Sequence, residues 1–258
     1  MKQAEHRPAG SARVPVNRDR ALRAAVDIAD KAGLDSLTMR SLGQELGVVP
    51  MALYKHVANK DDLLNGMVDV IIGEIDPAIV GADWKSAVRE RILSARRGLL
   101  RHSWARTAIE SRTTMTPAVL TYMESMIGLF RAGGLSVDLT HHALHALAGR
   151  IWGFSQELFA GPPPSETTVD PETQAAQLRE MATRYPYSIE IAMAIAHDRG
   201  SIVGGGCDDQ FEFEFALDIL LDGFERLHEQ HWTPLETATA RRTNVRGASR
   251  RASPHGSR

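Results

Sequence analysis

The chain has 258 residues, 43% of them hydrophobic and 24% charged, enough for a sizeable core in one large domain or in a small domain joined to a larger one. Its net charge of −2 is unevenly spread: residues 233–258 carry about +5 from Arg241, Arg242, Arg246, Arg250, Arg251 and Arg258 against Glu236, residues 1–16 carry +2, and the body between them is left at −9. These features exclude a uniformly basic DNA-coating protein, and a single cysteine, Cys207, excludes an internal disulfide and a thiolate metal cluster.

No apolar run approaches the ~20 residues that span a bilayer, and the polar N-terminus lacks the apolar stretch of a signal peptide, so a cytoplasmic location is expected. Residues 1–16 and 233–258 are rich in Pro, Ser, Gly, Thr and Arg and poor in apolar residues, which predicts a disordered basic arm and a disordered Arg-rich tail.

The first helix is predicted from Asn17 to Ala32, where Leu22, Ala25, Val26, Ala29 and Ala32 fall on one face. Asn17 can cap its start, and Gly33 suits a left-handed stop. Thr38 caps a short second helix with Met39, Leu42, Gly43 and Leu46 inward, closing at Gly47. Pro50 opens a short third helix, because a first-turn residue has no helical partner for its N–H; Leu53 and Val57 form its inner side. A fourth helix starts at Asn59 or Asp61 and carries Leu64, Met67, Val68, Ile71, Ile72 and Ile75.

Beyond Asp76-Pro77 the pattern lengthens. Amphipathic helices are predicted at roughly Asp83–His102, Pro117–Ala132, Val137–Ala160, Pro171–Tyr185, Pro186–Arg199 and Asp208–His231, with loops at Gly161–Asp170 and at the glycines Gly204 to Gly206. That triple glycine lacks the Lys-Ser/Thr of a phosphate loop. Phe211, Phe213 and Phe215 alternate like a strand but run on into Leu217, Leu220, Phe224 and Leu227 at helical spacing. The fold class is all-α.

Two short helices joined through Leu46-Gly47-Val48 have the form of a helix-turn-helix, whose second member fits a major groove ~12 Å wide. Outside its apolar positions the segment 38–60 offers Thr38, Arg40, Gln44, Tyr54, Lys55, His56 and Lys60 against the single acid Glu45. It is the local positive surface that an acidic body needs to approach phosphate. An ordinary helical hairpin with a solvated basic side has the same spacing.

The ordered run from Leu37 to Val48 (LTMRSLGQELGV), followed by Ala52 to Lys60 (ALYKHVANK) and Leu63-Leu64, resembles the DNA-binding domain of TetR-type repressors. Phe213 to Asp218 and Leu220 to Gly223 resemble the last helix of the tetracycline-repressor branch. The resemblance implies a three-helix DNA-binding domain with a helix-turn-helix in residues 17–75. A larger helical ligand-binding and dimerisation domain would occupy residues 76–232.

It also implies roles. Thr38 and Arg40 lie where the first helix of the motif holds phosphate, and Val49, Pro50, Met51 and Ala52 open the recognition helix. Tyr54, Lys55 and His56 complete its exposed surface, with Tyr54, His56 and Lys60 on phosphate. Lys55 is long enough to reach a guanine edge, and family members use the position of Arg40 for base contact. The nearly all-apolar opening Val49-Pro50-Met51-Ala52 departs from the tetracycline repressor, so the operator is expected to differ from its operator.

A ligand-responsive repressor needs a second site. Met115, Met123, Met126 and Phe130, with Trp104, Trp152 and Phe154, are candidate pocket walls between the fifth and eighth helices, and His102 and Arg112 are its candidate polar groups. A plain core has the same periodicity. The metal-chelating histidine of the tetracycline repressor falls at or beside Ile109, which cannot ligate a metal, and no metal or cofactor is assigned. His141 and His145 share a helical face, but no glutamate stands between them as in HExxH, and a polar rim is the simpler reading.

A homodimer is expected from Leu144, Leu147, Ala148, Ile151 and Trp152 with Leu217, Leu220, Phe224 and Leu227. The partners are then double-stranded operator DNA, a small-molecule effector and a second copy, with no membrane. Two alternatives differ in class: a helical interaction protein that has lost DNA binding, and a metal enzyme built on the histidine cluster, for which no nucleophile–base arrangement is found.

Overall fold

A computed structural model describes residues 15–153, 171–195 and 209–234. Among them the regular elements are all helical: α1 (Arg18–Ala32), α2 (Met39–Leu46), α3 (Pro50–Leu53), α4 (Lys60–Gly73), α5 (Trp84–Arg101), α6 (Ala105–Glu110), α7 (Pro117–Ala132), α8 (Val137–Gly153), α9 (Pro171–Arg184), α10 (Pro186–Ile195) and α11 (Asp209–Glu229), with a 3-10 turn at Leu34–Ser36. The all-α expectation holds. The expected arm, the Arg-rich tail, the Gly161–Asp170 loop, the triple glycine and Cys207 lie outside the described residues, as do the expected extensions of α8 to Ala160 and α10 to Arg199.

The caps explain the boundaries. The Asn17 side chain accepts from the Arg20 N–H at 2.8 Å, and Gly33 at φ 79° ends α1. Thr38 and Ser41 form a reciprocal capping box at α2, with hydroxyl-to-backbone distances of 3.0 and 2.9 Å, and Gly47 ends the helix in the left-handed conformation at φ 68°. The side chains of Asn59, Asp83 and Thr116 accept from the backbone N–H three residues on and so cap α4, α5 and α7. Two elements were not anticipated, the 3-10 turn and α6, because each is too short to display a period.

The chain divides into two compact units, Met1–Gly134 and Leu135–Arg258. Within the first unit α4 packs against α5, α6 and α7 as well as against α1. The first unit's core joins Leu22, Ala25, Val26 and Ala29 of α1 with Leu37, Leu42, Leu53 and Val57. It continues through Leu63, Met67, Val68 and Ile71 of α4 into Trp104, Ala105 and Ala108. On α7, Phe130 lies 5.7 Å from Trp84 of α5, ring centre to ring centre.

In the second unit α8 packs on α11. Leu139, Ala143 and Leu147 are buried on the first helix, and Phe213, Leu217, Leu221 and Phe224 on the second. The side chains of Leu147, Leu217 and Phe224, expected at a subunit interface, are therefore already covered within the protomer. The exposed apolar stripe of α11 is Phe211, Phe215 and Ile219, at i, i+4 and i+8.

Candidate nucleic-acid interface

The helix-turn-helix depends on a close backbone approach. The Val48 N–H donates to the Gly43 carbonyl at 2.9 Å, and a Cβ on Gly43 would stand 2.8 Å from the Val48 carbonyl oxygen. Only glycine at that position lets the turn fold back onto α2 and bring α3 across it. Leu42, Leu53 and Val57 bury the inner side.

The outer side presents the expected residues. Thr38, Arg40, Val49, Pro50, Met51, Tyr54, Lys55 and Lys60 are exposed, and Ala52 and His56 are half-buried. Val49 and Met51 keep 68% and 74% of their surface in solvent, two large apolar side chains exposed together at the opening of the second helix of the motif. Regular helix ends at Leu53. Tyr54, Lys55 and His56 form the turn that follows, in which the His56 N–H donates to the Leu53 carbonyl three residues back at 2.8 Å. They thus extend the α3 surface as a tightened turn instead of lying on the helix itself.

The arrangement is braced from α1. The Arg18 fork holds both oxygens of Asp62 at 2.7 and 2.9 Å and also donates to the His56 carbonyl at 2.9 Å. Asp62 accepts in addition from the Ala58 N–H at 2.8 Å. The hydrogen bond from Arg18 holds the Asp62 carboxyl below its ordinary value against the opposing effect of burial. One ion pair thereby fixes the turn that carries His56 and the first turn of α4 that carries Lys60.

Met115 is exposed and lines no wall, and the other sensor candidates in the first unit fall into two groups. Met126 and Phe130 are buried on α7, and Met123, half-buried, lies one turn before Met126. His102, Trp104 and Arg112 instead bind the reading head and its connector. His102 Nδ1 lies 2.8 and 3.0 Å from the two Asp30 oxygens, and its Nε2 lies 3.1 Å from Glu74 Oε2. The Trp104 indole N–H donates to Asp30 at 2.6 Å, and Arg112 donates to Asp61 at 3.1 Å. Trp152 lies in α8, and its side chain and Phe154 fall outside the description.

A cavity of about 710 Å³ lies between α1, α4 and the end of α5, lined by Leu22, Val26 and Val70 with Asp30, Asp69 and Glu74 among its polar groups. It is not the apolar site expected between the fifth and eighth helices. His141, His142 and His145 are exposed on α8; the His141 and His145 rings are 4.5 Å apart, and His142 meets the edge of Trp232 at 5.4 Å. Among the described residues no group of three or more His, Cys, Asp or Glu side chains could hold a metal ion. No described helix is long and apolar enough to cross a membrane.

Residues 21–67 match the bacterial regulatory proteins of the tetR family, and residues 77–228 match the tetracyclin repressor-like C-terminal domain. The chain belongs to the TetR family. It is a DNA-binding transcriptional regulator with a C-terminal domain of the tetracycline-repressor type. The transcriptional repressor DrrR1 of Streptomyces coeruleorubidus is 28% identical over 233 residues, 87% of this chain and 83% of that protein. The class D tetracycline repressor of Escherichia coli is 37% identical over 90 residues, 34% of this chain and 41% of that repressor. Among solved structures, apo ActR from Streptomyces coelicolor superposes with a TM-score of 0.63 at 27% identity, covering 86% of this chain and all of that one (100%). ActR in complex with actinorhodin gives 0.57 at 26% identity, covering 83% and 98%.

Within this TetR-family chain, several supporting residues were not visible in the sequence. The partners in Arg18–Asp62 and Asp30–His102 are 44 and 72 residues apart, and each residue alone reads as an ordinary surface charge or a helix end. The capping partner Ser41 was detectable: it stands three residues after Thr38, where a capping box places its second member.

Proposed function

We propose that this regulator is a homodimeric repressor that reads a palindromic operator and is released from it by a small, largely hydrophobic effector. Thr38, Arg40, Tyr54, His56 and Lys60 hold phosphates, and Lys55 and Arg40 reach guanine edges. Val49, Pro50, Met51 and Ala52 face the bases and read them through apolar contact, chiefly with thymine methyl groups. The observation that carries the reading is the exposure of Val49 and Met51 on a motif flanked by Arg40, Lys55 and Lys60: large apolar side chains left in water inside a cationic rim suit a ligand that is anionic outside and apolar at its base edges.

The effector site is assigned to Met123, Met126 and Phe130 of α7, an aromatic and thioether lining that favours aromatic or polycyclic molecules over sugars. ActR, which binds actinorhodin and (S)-DNPA in its solved complexes, supports an effector of that size and character. His102, Trp104 and Arg112 serve the connector instead, since their polar atoms are already engaged by Asp30, Glu74 and Asp61. The second copy docks along α11 through Phe211, Phe215 and Ile219.

The test is binding to a duplex selected by the protein from random-sequence DNA. Lys60→Ala lowers affinity evenly across sequences and reduces the salt slope by about one unit, whereas Arg40→Ala also relaxes base preference. Wild-type affinity in both variants at moderate salt would reject the interface.

A further inference from the structure

His102 is 3% exposed, yet it sits between two carboxylates. Asp30 faces its Nδ1 at 2.8 Å and Glu74 faces its Nε2 at 3.1 Å. A neutral imidazole carries one N–H, so in either tautomer one ring nitrogen turns a lone pair toward carboxylate lone pairs at about 3 Å. Only the imidazolium, with a proton on each nitrogen, makes both contacts favourable.

We propose that protonated His102 is a positioning residue that locks the DNA-reading head onto the first corner of the sensor half, so that loss of its proton weakens DNA binding. Asp30 lies in the last turn of α1, Glu74 caps α4, His102 caps α5, and Trp104 precedes α6. One cation therefore gathers the ends of three helices and the start of a fourth. α4 carries any slack at Glu74 to its other end, where Lys60 and the Arg18–Asp62 brace set the DNA surface.

The surroundings favour the proton. From α1, Asp30 is joined by Asp27 and Arg23 along the cavity beside the ring, and from α4, Glu74 is joined by Asp69. α5 contributes Arg101, which donates to Glu74 at 2.6 Å and so shares that carboxylate. The Trp104 N–H takes an Asp30 oxygen without adding charge. Burial pulls the imidazole pKa down, but the hydrogen bonds and charges of Asp30 and Glu74 outweigh it and hold the pKa above the usual histidine value. With a folded value raised above the unfolded one, the lock is complete below about pH 6.5 and is lost as pH rises through the higher folded value. The cavity gives water a route to the ring for that exchange.

The role in DNA binding rests on the interface proposed above; the protonation state does not. Full-length protein with ¹⁵N-labelled histidine, titrated by NMR from about pH 5.5 to 9, should show His102 protonated on both nitrogens at pH 6.5, its midpoint lying above the ordinary ~6.5 and falling in Glu74→Gln. A ring already neutral at pH 6.5 overturns the proposal. Affinity for a duplex selected from random-sequence DNA is then compared at pH 6 and 8.5. The wild type should lose about fivefold more than Glu74→Gln or His102→Gln over that interval, at the lower end of usual couplings. Equal pH dependence in all three proteins overturns the lock. If the wild type selects no duplex, the interface reading and the coupling fall together, while the NMR titration still reports the proton.

Discussion

At the scale of single residues, Gly43 differs from the other close-packed glycines in facing backbone where they face a side chain. A methyl group there meets a backbone oxygen 2.8 Å away, and a carbonyl fixed by the turn cannot swing aside as a side chain can. Gly43→Ala is therefore expected to lower stability by about 1–3 kcal/mol, the usual cost of overpacking, and to weaken DNA binding by displacing α3. Gly66→Ala is the natural comparison. The nearest atoms to its Cβ would all belong to the Leu22 side chain, Cδ2 at 2.5, Cδ1 at 2.8 and Cγ at 3.2 Å, and a side chain can change rotamer where a backbone carbonyl cannot, so its loss of stability should be smaller. Thermal denaturation of both variants checks this, and equal losses would contradict the assignment of the turn as the rigid obstacle. The sequence shows Gly43 only as a small residue on an inward face. The contact that demands glycine closes through Val48, and periodicity carries no information about it.

At the scale of elements, helix boundaries were legible wherever a cap residue met a period, as at Asn17, Thr38, Asn59 and Asp83. The short α6 was not, and neither were the charged pairs that brace one helix against another, because local patterning describes a helix and its solvent face but not its neighbour. Arg18–Asp62 makes the point testable. The carboxyl of Asp62 is held low in the folded head by Arg18, so its contribution to stability is present above the unfolded value of about 3.9 and is lost as pH falls through the lower folded value. Asp62→Asn should thus be less stable than wild type at pH 7, with the difference shrinking below about pH 4 and vanishing at lower pH. Acid-denaturation curves for the two proteins give the answer; a difference that persists unchanged to pH 2 would mean that the brace works through something other than this charge.

At the scale of the whole molecule, assembly and sensing follow from which surfaces the helices leave over. The apolar count in the α11 sequence suggested an interface but could not say which stripe serves the protomer and which the partner. Within the protomer Phe213, Leu217, Leu221 and Phe224 pack inside, whereas Phe211 and Phe215, stacked at 6.4 Å, and Ile219 face out and are the stripe proposed for the second copy. Phe215→Glu is expected to give a folded monomer at micromolar concentration by sedimentation, whereas Leu217→Glu should destabilise the protomer itself. A Phe215→Glu protein that stays dimeric would move the interface elsewhere. A two-fold dimer in turn presents its two recognition helices to half-sites about 34–36 Å apart, one helical turn of DNA.

That spacing makes the pair of heads sensitive to small tilts of α4, the helix that runs from Lys60 at the DNA surface to the clamp at Glu74 and packs on α5, α6 and α7 between. An effector at the site proposed on α7 would act on the same helix, because α7 packs directly on α4. If it fits better when α4 is tilted, it must weaken DNA binding by the factor by which DNA weakens its own binding. A coupling of about 1–3 kcal/mol corresponds to induction of about 5- to 150-fold. The measurement begins with a screen of hydrophobic polycyclic compounds for one that releases the selected duplex. The affinity of that compound is then determined by calorimetry for the free protein and for the DNA complex. The two values should differ by the same factor as the duplex affinities measured with and without the compound. A compound that binds the free protein but not the DNA complex at all, at any concentration, would reject transmission through α4 in favour of direct competition at the DNA face, and Met126→Ala should then have no effect on release.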